Sequence, residues 1–209
     1  RERLHLTKFV SEETVGAVAG KNIEGVSLGG ERKDATVLFS DIRNFTSYSE
    51  KVEPEEVIDM LNSYLNTQAE VVKNNGGDID KFVGDELMAV FKGKSMVEKA
   101  VKCSVEIQKK IAVMNKKNKK NIEVGIGINA GPMVMGAMGS KDRMDYTVLG
   151  DNVNLGARLC SAAKAGEIII SKRAVRFLPK SHSVDLRPLD PLKVKGKKDV
   201  IEVFSIILD

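Results

Sequence analysis

Two aspartates in this sequence combine the residue type and the position needed to bind a metal ion. Asp41 follows the strand-like run 34–40, and Asp85 lies in the tight turn 84–86 between two further strand-like segments. If these segments are neighbouring strands, the two carboxylates can meet at one end of a sheet, where they repel each other unless a cation lies between them. Oxygen ligands without His or Cys favour Mg²⁺ or Mn²⁺, and two such ions can bind a triphosphate and lower the pKa of a ribose hydroxyl.

Each aspartate taken alone has a simpler interpretation, as a helix N-cap at Asp41 and as a turn residue at Asp85. The apolar strand before Asp41 and the glycine before Asp85 favour metal binding when the two are considered together. The backbone over 42–46 is expected to turn into a helix, so the amides around Phe45 and Thr46 are candidate contacts for phosphate oxygens. The Phe45 ring itself is expected to anchor this turn in the core.

A second group of polar residues lies further along the chain. Asn154 and Arg158 are four residues apart in a segment that predicts a helix over 152–163, so both lie on one helix face. On their own they would be interpreted as a helix-start Asn and a surface Arg.

The elements that must position these residues follow the order β-α-β-β-α-β. Helical spacing of apolar residues predicts helices over 54–74 and from Ser95, where Glu98 three residues on suggests a capping box. This order is typical of a ferredoxin-like α+β fold, an antiparallel sheet with two helices on one face, here with added C-terminal strands and helices. The predicted strands are 34–40, 78–83, 87–91, 122–129 (followed by a Gly-rich stretch), 144–149, 167–171, 183–186 and 201–207, with a short helix near 173–177.

Length and composition suit one domain with a short extension. The chain has 209 residues, of which 42% are hydrophobic, so a substantial core is possible. We interpret 1–30 as a lead-in segment and 31–209 as the domain. The net charge of +4 is small for a nucleic-acid-binding domain, and the lysine cluster within 116–120 is interpreted as a solvated loop.

The sequence also bears on the cellular setting. Two isolated cysteines form neither a disulfide framework nor a zinc site, which fits a reducing cytosol. No apolar run reaches the ~18 residues needed to span a bilayer. Because the chain begins at Arg1 without a Met, we expect a fragment of a longer protein, in which an upstream region would supply any membrane anchor while this domain faces the cytoplasm.

Three segments resemble the signature blocks of the class III nucleotide cyclases. They are VLFSDIRNFT at 37–46, KFVGDELMAVF at 81–91 and YTVLGDNVNLGARL at 146–159, in the order and at the spacing of that family. Each block alone is moderately specific, and the three together are highly specific. The resemblance covers about 180 residues, from Gly29 to the C-terminus.

The resemblance implies a set of residue roles. Asp41 and Asp85, with the Ile42 backbone carbonyl, match the ligands of two Mg²⁺ or Mn²⁺ ions. Lys81 and Thr147 match the pair that selects the purine, in which the lysine would meet adenine N1 and the threonine hydroxyl the exocyclic amine. A threonine rather than an aspartate at 147 is similar to the subclass that includes the bicarbonate-responsive cyclases.

The remaining roles concern the phosphates and the transition state. Asn154 and Arg158 match the residues that orient the ribose and stabilise charge on the transferring phosphate. Lys195, with Lys197 as a competitor, matches the lysine that holds the terminal phosphates, and Arg143 is a further phosphate candidate. For all three basic residues the alternative is a solvated basic loop. The fold and activity implied are those of an adenylate cyclase that converts ATP to cyclic AMP and pyrophosphate.

In this family the aspartates come from one subunit and the Lys, Thr, Asn and Arg set from the other, so the resemblance implies a homodimer with two shared sites. Alternatives are a guanylate or diguanylate cyclase, a nucleotide-sensing module without catalysis, and a dimerisation module.

Two positions depart from the family pattern. Asn44 replaces a common Gly and is expected to tolerate left-handed backbone. Gly156 replaces a usual Ala and is expected to loosen the helix that carries Asn154 and Arg158.

Overall fold

The computed structural model describes residues 29–139, 144–193 and 200–208. The predicted lead-in over 1–30 lies almost entirely outside these residues. The strands are β1 Gly29–Ile42, β2 Asp78–Val83, β3 Glu86–Lys92, β4 Val124–Gly139, β5 Met144–Leu149, β6 Ile168–Ser171, β7 Leu186–Pro188, β8 Leu192–Lys193, β9 Val200–Ile201 and β10 Val203–Ile206. The helices are α1 Phe45–Ser49, α2 Pro54–Asn74, α3 Met96–Asn118, α4 Asp151–Ala162 and α5 Lys172–Val175.

Eight strands of the described residues form one mixed sheet. The order is β2-β3-β1-β4-β6-β10-β7, and β5 pairs with β4 outside this path. The pairs β2-β3, β3-β1 and β1-β4 are antiparallel, which confirms the predicted ferredoxin-like core and the α+β class. Beyond β4 the sheet is no longer purely antiparallel, because the chain crosses over through α4 and returns as β6 parallel to β4.

The two faces of the sheet carry different helices. Leu38 and its neighbours on one face pack against α2 and α3, as the helical periodicity predicts. Val37 and Phe39 point to the opposite face, because side chains alternate along a strand, and there they pack with Val153 and Cys160 of α4. Sequence reasoning placed α2 and α3 together and did not assign a face to α4.

The prediction for β4 was too short. The Gly-rich stretch expected after residue 129 continues the strand, and β1 and β4 pair from Gly29 opposite Ala137 to Ile42 opposite Val124. Gly136 is needed where β4 pairs with the start of β1, since a Cβ atom there would lie 2.0 Å from the Gly29 carbonyl oxygen. This glycine therefore allows the two strands to pair and does not break β4.

The capping box predicted at the start of α3 is not formed. Ser95 has left-handed backbone, with φ of 62°, and its side chain makes no capping hydrogen bond. The helix begins at Met96, so the Ser95–Glu98 pattern predicted the position of the helix start but not its chemistry. None of the helices of the described residues is both long enough and apolar enough to cross a membrane.

The C-terminal elements differ from the prediction in length. The strand predicted over 183–186 is found at Leu186–Pro188, and the one over 201–207 is divided into Val200–Ile201 and Val203–Ile206. The short helix is found at Lys172–Val175, where the Ser171 side chain accepts a hydrogen bond from the Ala174 amide. These segments are short, so their hydrophobic periodicity locates them only to within a few residues.

Candidate active site

The carboxyl groups of Asp41 and Asp85 meet at one end of the sheet. Asp41 is the second-last residue of β1, and Asp85 lies in the turn between β2 and β3, which pairs with β1. The Ile42 amide donates a hydrogen bond to Asp85 Oδ2 at 3.2 Å. Burial, the hydrogen bond between Asp85 and Asp41, and the charge of Asp41 raise the pKa of Asp85 to about 7. Two acidic groups from distant parts of the chain thus share one small region.

The charge balance of this region depends on two residues that sequence reasoning missed. Arg43 Nη2 lies 3.1 Å from Asp41 Oδ2 and also contacts the Cys160 sulfur of α4 at 3.7 Å. Burial and the charge of Asp41 raise the pKa of Glu86, while Arg43 opposes that change. The available signal was proximity in the sequence, since Arg43 is two residues from Asp41 and Glu86 directly follows Asp85.

The donor chemistry at this end of the sheet fits a hard divalent cation. Asp41 and Asp85 are both half-buried and offer only oxygen atoms. Among the described residues no group of three or more His, Cys, Asp or Glu is placed to hold a metal ion. Mg²⁺ commonly uses one or two protein carboxylates and completes its coordination with water and substrate phosphates, so a pair of aspartates meets its requirement.

The turn after Asp41 has the predicted form. Asn44 has left-handed backbone, with φ of 59°, and α1 begins at Phe45. Asn accepts this conformation more readily than most residues, so the replacement of the family glycine is accommodated. Phe45 is half-buried and packs against the core cluster on the α2 and α3 side, whereas Thr46 is exposed. Phe45 therefore anchors the turn, as expected.

Lys81 and Thr147 are joined through a third residue, Asp80. The Thr147 hydroxyl donates a hydrogen bond to Asp80 Oδ2 at 2.8 Å, and Lys81 Nζ lies 3.3 Å from the same oxygen. The side chain of Asp80 is 3% exposed and that of Lys81 is 42% exposed, so a ligand would meet the ammonium group first. Burial raises the pKa of Asp80, and hydrogen bonds from Thr147, Lys81 and the Val148 amide oppose this shift.

A β-bulge explains how neighbouring residues of β2 reach the same partner. The register of β2 against β3 shifts between Ile79 and Lys81, so Asp80 is the extra residue in the strand. Bulges re-aim side chains, and this one directs Asp80 toward β5, where Thr147 pairs opposite Gly136 of β4. The sequence offered no signal for a bulge, which is why Asp80 was not predicted to take part.

Asn154 and Arg158 are both exposed on α4. Gly156, between them, faces the sheet, where a Cβ atom would lie 2.7 Å from Val37 Cγ2 and 3.1 Å from Phe39. The structure does not support the expectation that this glycine loosens the helix. Its missing side chain allows α4 to lie close against β1.

A buried polar network fixes the start of α4. Asn129 of β4 donates to the Asn152 carbonyl at 2.7 Å and accepts from the Ser171 hydroxyl at 2.6 Å. Asn152 donates to the Pro132 carbonyl at 2.8 Å, and its side-chain oxygen accepts from Arg173 at 3.1 Å. Asn129 and Ser171 have no exposed surface, so these bonds are shielded from water and hold the helix at a defined place on the sheet.

The remaining predicted site residues are not part of this geometry. Arg143, Lys195 and Lys197 lie outside the described residues. Of the others, the structure brings Asp41 to Asp85, joins Lys81 to Thr147 through Asp80, and places Asn154 and Arg158 on the exposed side of α4.

Comparison with known proteins gives the family. Residues 30–207 match the adenylate and guanylate cyclase catalytic domain, and the chain belongs to that family. It is 35% identical, over 214 aligned positions, to the terminal-differentiation-specific adenylate cyclase of Dictyostelium discoideum. That match covers 97% of this chain and 10% of the Dictyostelium protein, so the chain corresponds to a small part of that relative.

Two solved structures show the same fold. The adenylyl cyclase CyaB from P. aeruginosa has a TM-score of 0.82 at 36% identity, over 87% of this chain and 97% of that one. The guanylyl cyclase Cya2 has a TM-score of 0.78, also at 36% identity, over 86% of this chain and 94% of that one. The protein is therefore a nucleotide cyclase domain, and equal identity to an adenylyl and a guanylyl cyclase leaves the choice of purine to be argued from the site.

Proposed function

We propose that this domain is an adenylate cyclase, which converts ATP to 3′,5′-cyclic AMP and pyrophosphate at sites shared between two copies of the chain. The observation that carries the proposal is the joined pair of Lys81 and Thr147. Adenine presents an acceptor at N1 and a donor at its exocyclic amine, whereas guanine presents a donor and an acceptor at the same positions. An ammonium donor beside a hydroxyl that can accept is complementary to adenine.

The acidic end of the sheet would serve the phosphates. Asp41, Asp85 and the Ile42 carbonyl are proposed to hold two ions of Mg²⁺ or Mn²⁺. When bound, these ions would supply the positive charge that lowers the pKa of the ribose 3′-hydroxyl and balances the charge of the departing pyrophosphate. The amides at the start of α1, near Phe45 and Thr46, are proposed to donate to phosphate oxygens.

The other residues would act on the ribose and on the transferring phosphate. The ribose 3′-oxygen attacks the α-phosphate in line, and pyrophosphate leaves. Asn154 is proposed to orient the ribose, and Arg158 to stabilise the charge that develops on the phosphate. Lys195 and Arg143 are proposed to hold the terminal phosphates. No side chain is an obvious general base, so water or a substrate phosphate would take the proton.

The shared site leads to a direct test. Asp85→Ala and Asn154→Ala would each be inactive alone, because each homodimer would lack one necessary group in both of its sites. A mixture of the two variants should recover cyclic AMP production, since half of the sites in a mixed dimer contain two intact sets of residues. Specific activity of the wild type should also rise with protein concentration if the dimer is weak. Failure of the mixture to recover would contradict the shared arrangement.

Guanylate cyclase activity is the second candidate, because Cya2 is as similar to this chain as CyaB is. Turnover of ATP and GTP, each measured with Mg²⁺ and with Mn²⁺, separates the two. We expect ATP to be preferred, and the double change Lys81→Glu with Thr147→Cys to move the preference toward GTP. A wild type that turns over GTP faster than ATP would reject the adenylate assignment.

A further inference from the structure

We propose that Asp80 is a further specificity-determining residue, which positions Lys81 and Thr147 so that they present a donor beside an acceptor to the purine. This inference rests on the proposed function, and it assigns a role to a residue that does not itself touch the substrate. Asp80 acts through the two side chains that it binds.

Asp80 sets the direction of the hydrogen bond to Thr147. Three donors converge on the Asp80 carboxyl, namely the Thr147 hydroxyl, the Lys81 ammonium group and the Val148 amide. Burial raises the pKa of Asp80, but these three donors stabilise its ionised form, which can only accept hydrogen bonds. The Thr147 hydroxyl must therefore donate its single proton to Asp80, and its lone pairs remain available to accept from a ligand.

Asp80 also sets the position of the Lys81 ammonium group. Its ammonium group has three protons on a flexible four-carbon chain, and free lysine side chains adopt many rotamers. Asp80 Oδ2 accepts a hydrogen bond from the Lys81 ammonium group at 3.3 Å. This bond fixes the nitrogen close to Thr147, because the same oxygen binds both groups. The other ammonium protons remain available to a ligand.

The link that Asp80 makes between Lys81 and Thr147 is rigid. Asp80 lies at the bulge of β2, and its side chain is 3% exposed, so the contact with β5 is shielded from water and from salt. The three residues come from two strands that are not neighbours in the sheet order. Asp80 thus fixes the distance between a lysine and a threonine that the backbone ladder alone would not set.

The selectivity for ATP over GTP should therefore depend on the Asp80 carboxylate. In Asp80→Asn the side-chain amide can donate to Thr147, so the hydroxyl is free to turn its proton toward the ligand. Thr147 could then donate a hydrogen bond to guanine O6, and it would no longer be restricted to accepting from the amine of adenine. We expect the preference for ATP over GTP to fall about tenfold, mainly through a higher KM for ATP, with kcat at saturating ATP much less affected.

The experiment compares Asp80→Asn with Asp145→Asn, which makes the same chemical change at an exposed carboxylate of β5. Values of kcat and KM for both nucleotides are measured, together with the melting temperature of each variant. Displacement of a fluorescent N-methylanthraniloyl ATP by ATP and by GTP gives the same preference without turnover. Asp80→Asn should lose the preference in both assays, and Asp145→Asn should keep it.

A second set of variants tests whether Asp80 acts through Thr147. Thr147→Val should lose part of the preference, and adding Asp80→Asn to it should have less effect than in the wild type. A folded Asp80→Asn protein with an unchanged ATP-to-GTP ratio would overturn the proposal. So would equal losses of kcat for both nucleotides with a lower melting temperature, which is the result expected from a purely structural role.

The outcomes for the two proposals are distinct. If the wild type binds ATP more tightly than GTP but forms no cyclic AMP, and Asp80→Asn abolishes that difference, the proposed function fails and the role of Asp80 stands. If cyclic AMP is formed and the variant keeps its preference, the function stands and the role of Asp80 fails. A wild type that binds GTP as well as ATP would overturn the role of Asp80 directly.

Discussion

The meeting of Asp41 and Asp85 should be measurable in the metal-free protein as a cost in stability at neutral and alkaline pH. The pKa of Asp85 is raised from 3.8 to about 7, first by burial and then by the hydrogen bond to Asp41 and the charge of Asp41. A raised carboxyl pKa means that the folded protein binds a proton which the unfolded chain releases. The associated stability is fully present below the unfolded pKa of 3.8 and is lost as the pH rises through about 7.

The substitution Asp85→Asn removes this titration while keeping the shape of the side chain. A shift of this size would correspond to about 4 kcal/mol if the group were fully shielded. Asp85 is only half-buried, and solvent screening reduces the expected gain of the variant to about 1–2 kcal/mol at pH 8. For a chain of this length that is a rise in melting temperature of about 2–8 °C.

The assay is thermal or urea unfolding in EDTA at a fixed protein concentration, over a series from pH 5 to pH 8. Asp85→Asn should gain stability relative to the wild type as the pH rises, and the difference should level off above about pH 8. Asp41→Asn should behave similarly because it removes the other member of the pair. Asp59→Asn, at an exposed position of α2, should show no such dependence. Wild-type stability should rise on addition of Mn²⁺ at pH 8, and that of Asp85→Asn much less.

A difference between Asp85→Asn and wild type that is the same at pH 5 and pH 8 would refute the reasoning. It would mean that the Asp85 carboxyl does not bind a proton more tightly in the folded chain than in the unfolded chain. The metal-binding proposal would then lose its physical basis, because the repulsion that a cation would relieve would not exist.

Two further predictions concern how α4 is held. Gly156→Ala should destabilise the protein by about 1–3 kcal/mol and lower kcat, because the new Cβ would lie 2.7 Å from Val37 Cγ2 and would push the helix away from β1. Urea unfolding and steady-state kinetics measure these two effects. Ser161→Ala, on the exposed side of the same helix, is the control. Asn129→Ala should lower the free energy of unfolding by about 2 kcal/mol or more and also lower kcat, because the Asn152 carbonyl and the Ser171 hydroxyl lose their buried partner Asn129. Asn62→Ala, at an exposed position, should change neither quantity.

The sequence was sufficient for the core of the fold and for the acidic pair, for physical reasons that can be stated. The segment 34–40 before Asp41 is rich in strand-forming residues, and the turn at Gly84 and Asp85 separates two strands with little ambiguity. Once β1 and β3 are neighbours, the end of one strand and the turn beside the other must lie together. Local pattern and sheet geometry determine this part of the site.

The parts that could not be predicted depend on close backbone approach or on departures from regular pairing. Gly136 breaks regularity in a sequence pattern, but in the folded chain it allows β4 to pass close to Gly29 of β1. Likewise Gly156 has a low helix propensity, and it is useful only because it lets α4 pack closely against Val37. Secondary-structure propensity describes each of these glycines by itself. Their effect on the fold comes from a partner more than 100 positions away in the sequence.

The same limitation explains why sequence reasoning recognised Lys81 and Thr147 but not Asp80. A resemblance between sequences identifies residues that touch the substrate, because their chemistry is tied directly to the reaction. A residue that acts through others is revealed only by the contact it makes, and at Asp80 that contact requires a bulge which shifts the register by one residue. Without the bulge, alternation along β2 would direct Asp80 and Lys81 to opposite faces of the sheet. The irregularity of one strand is thus what allows a single carboxylate oxygen to bind both members of the proposed purine-selecting pair.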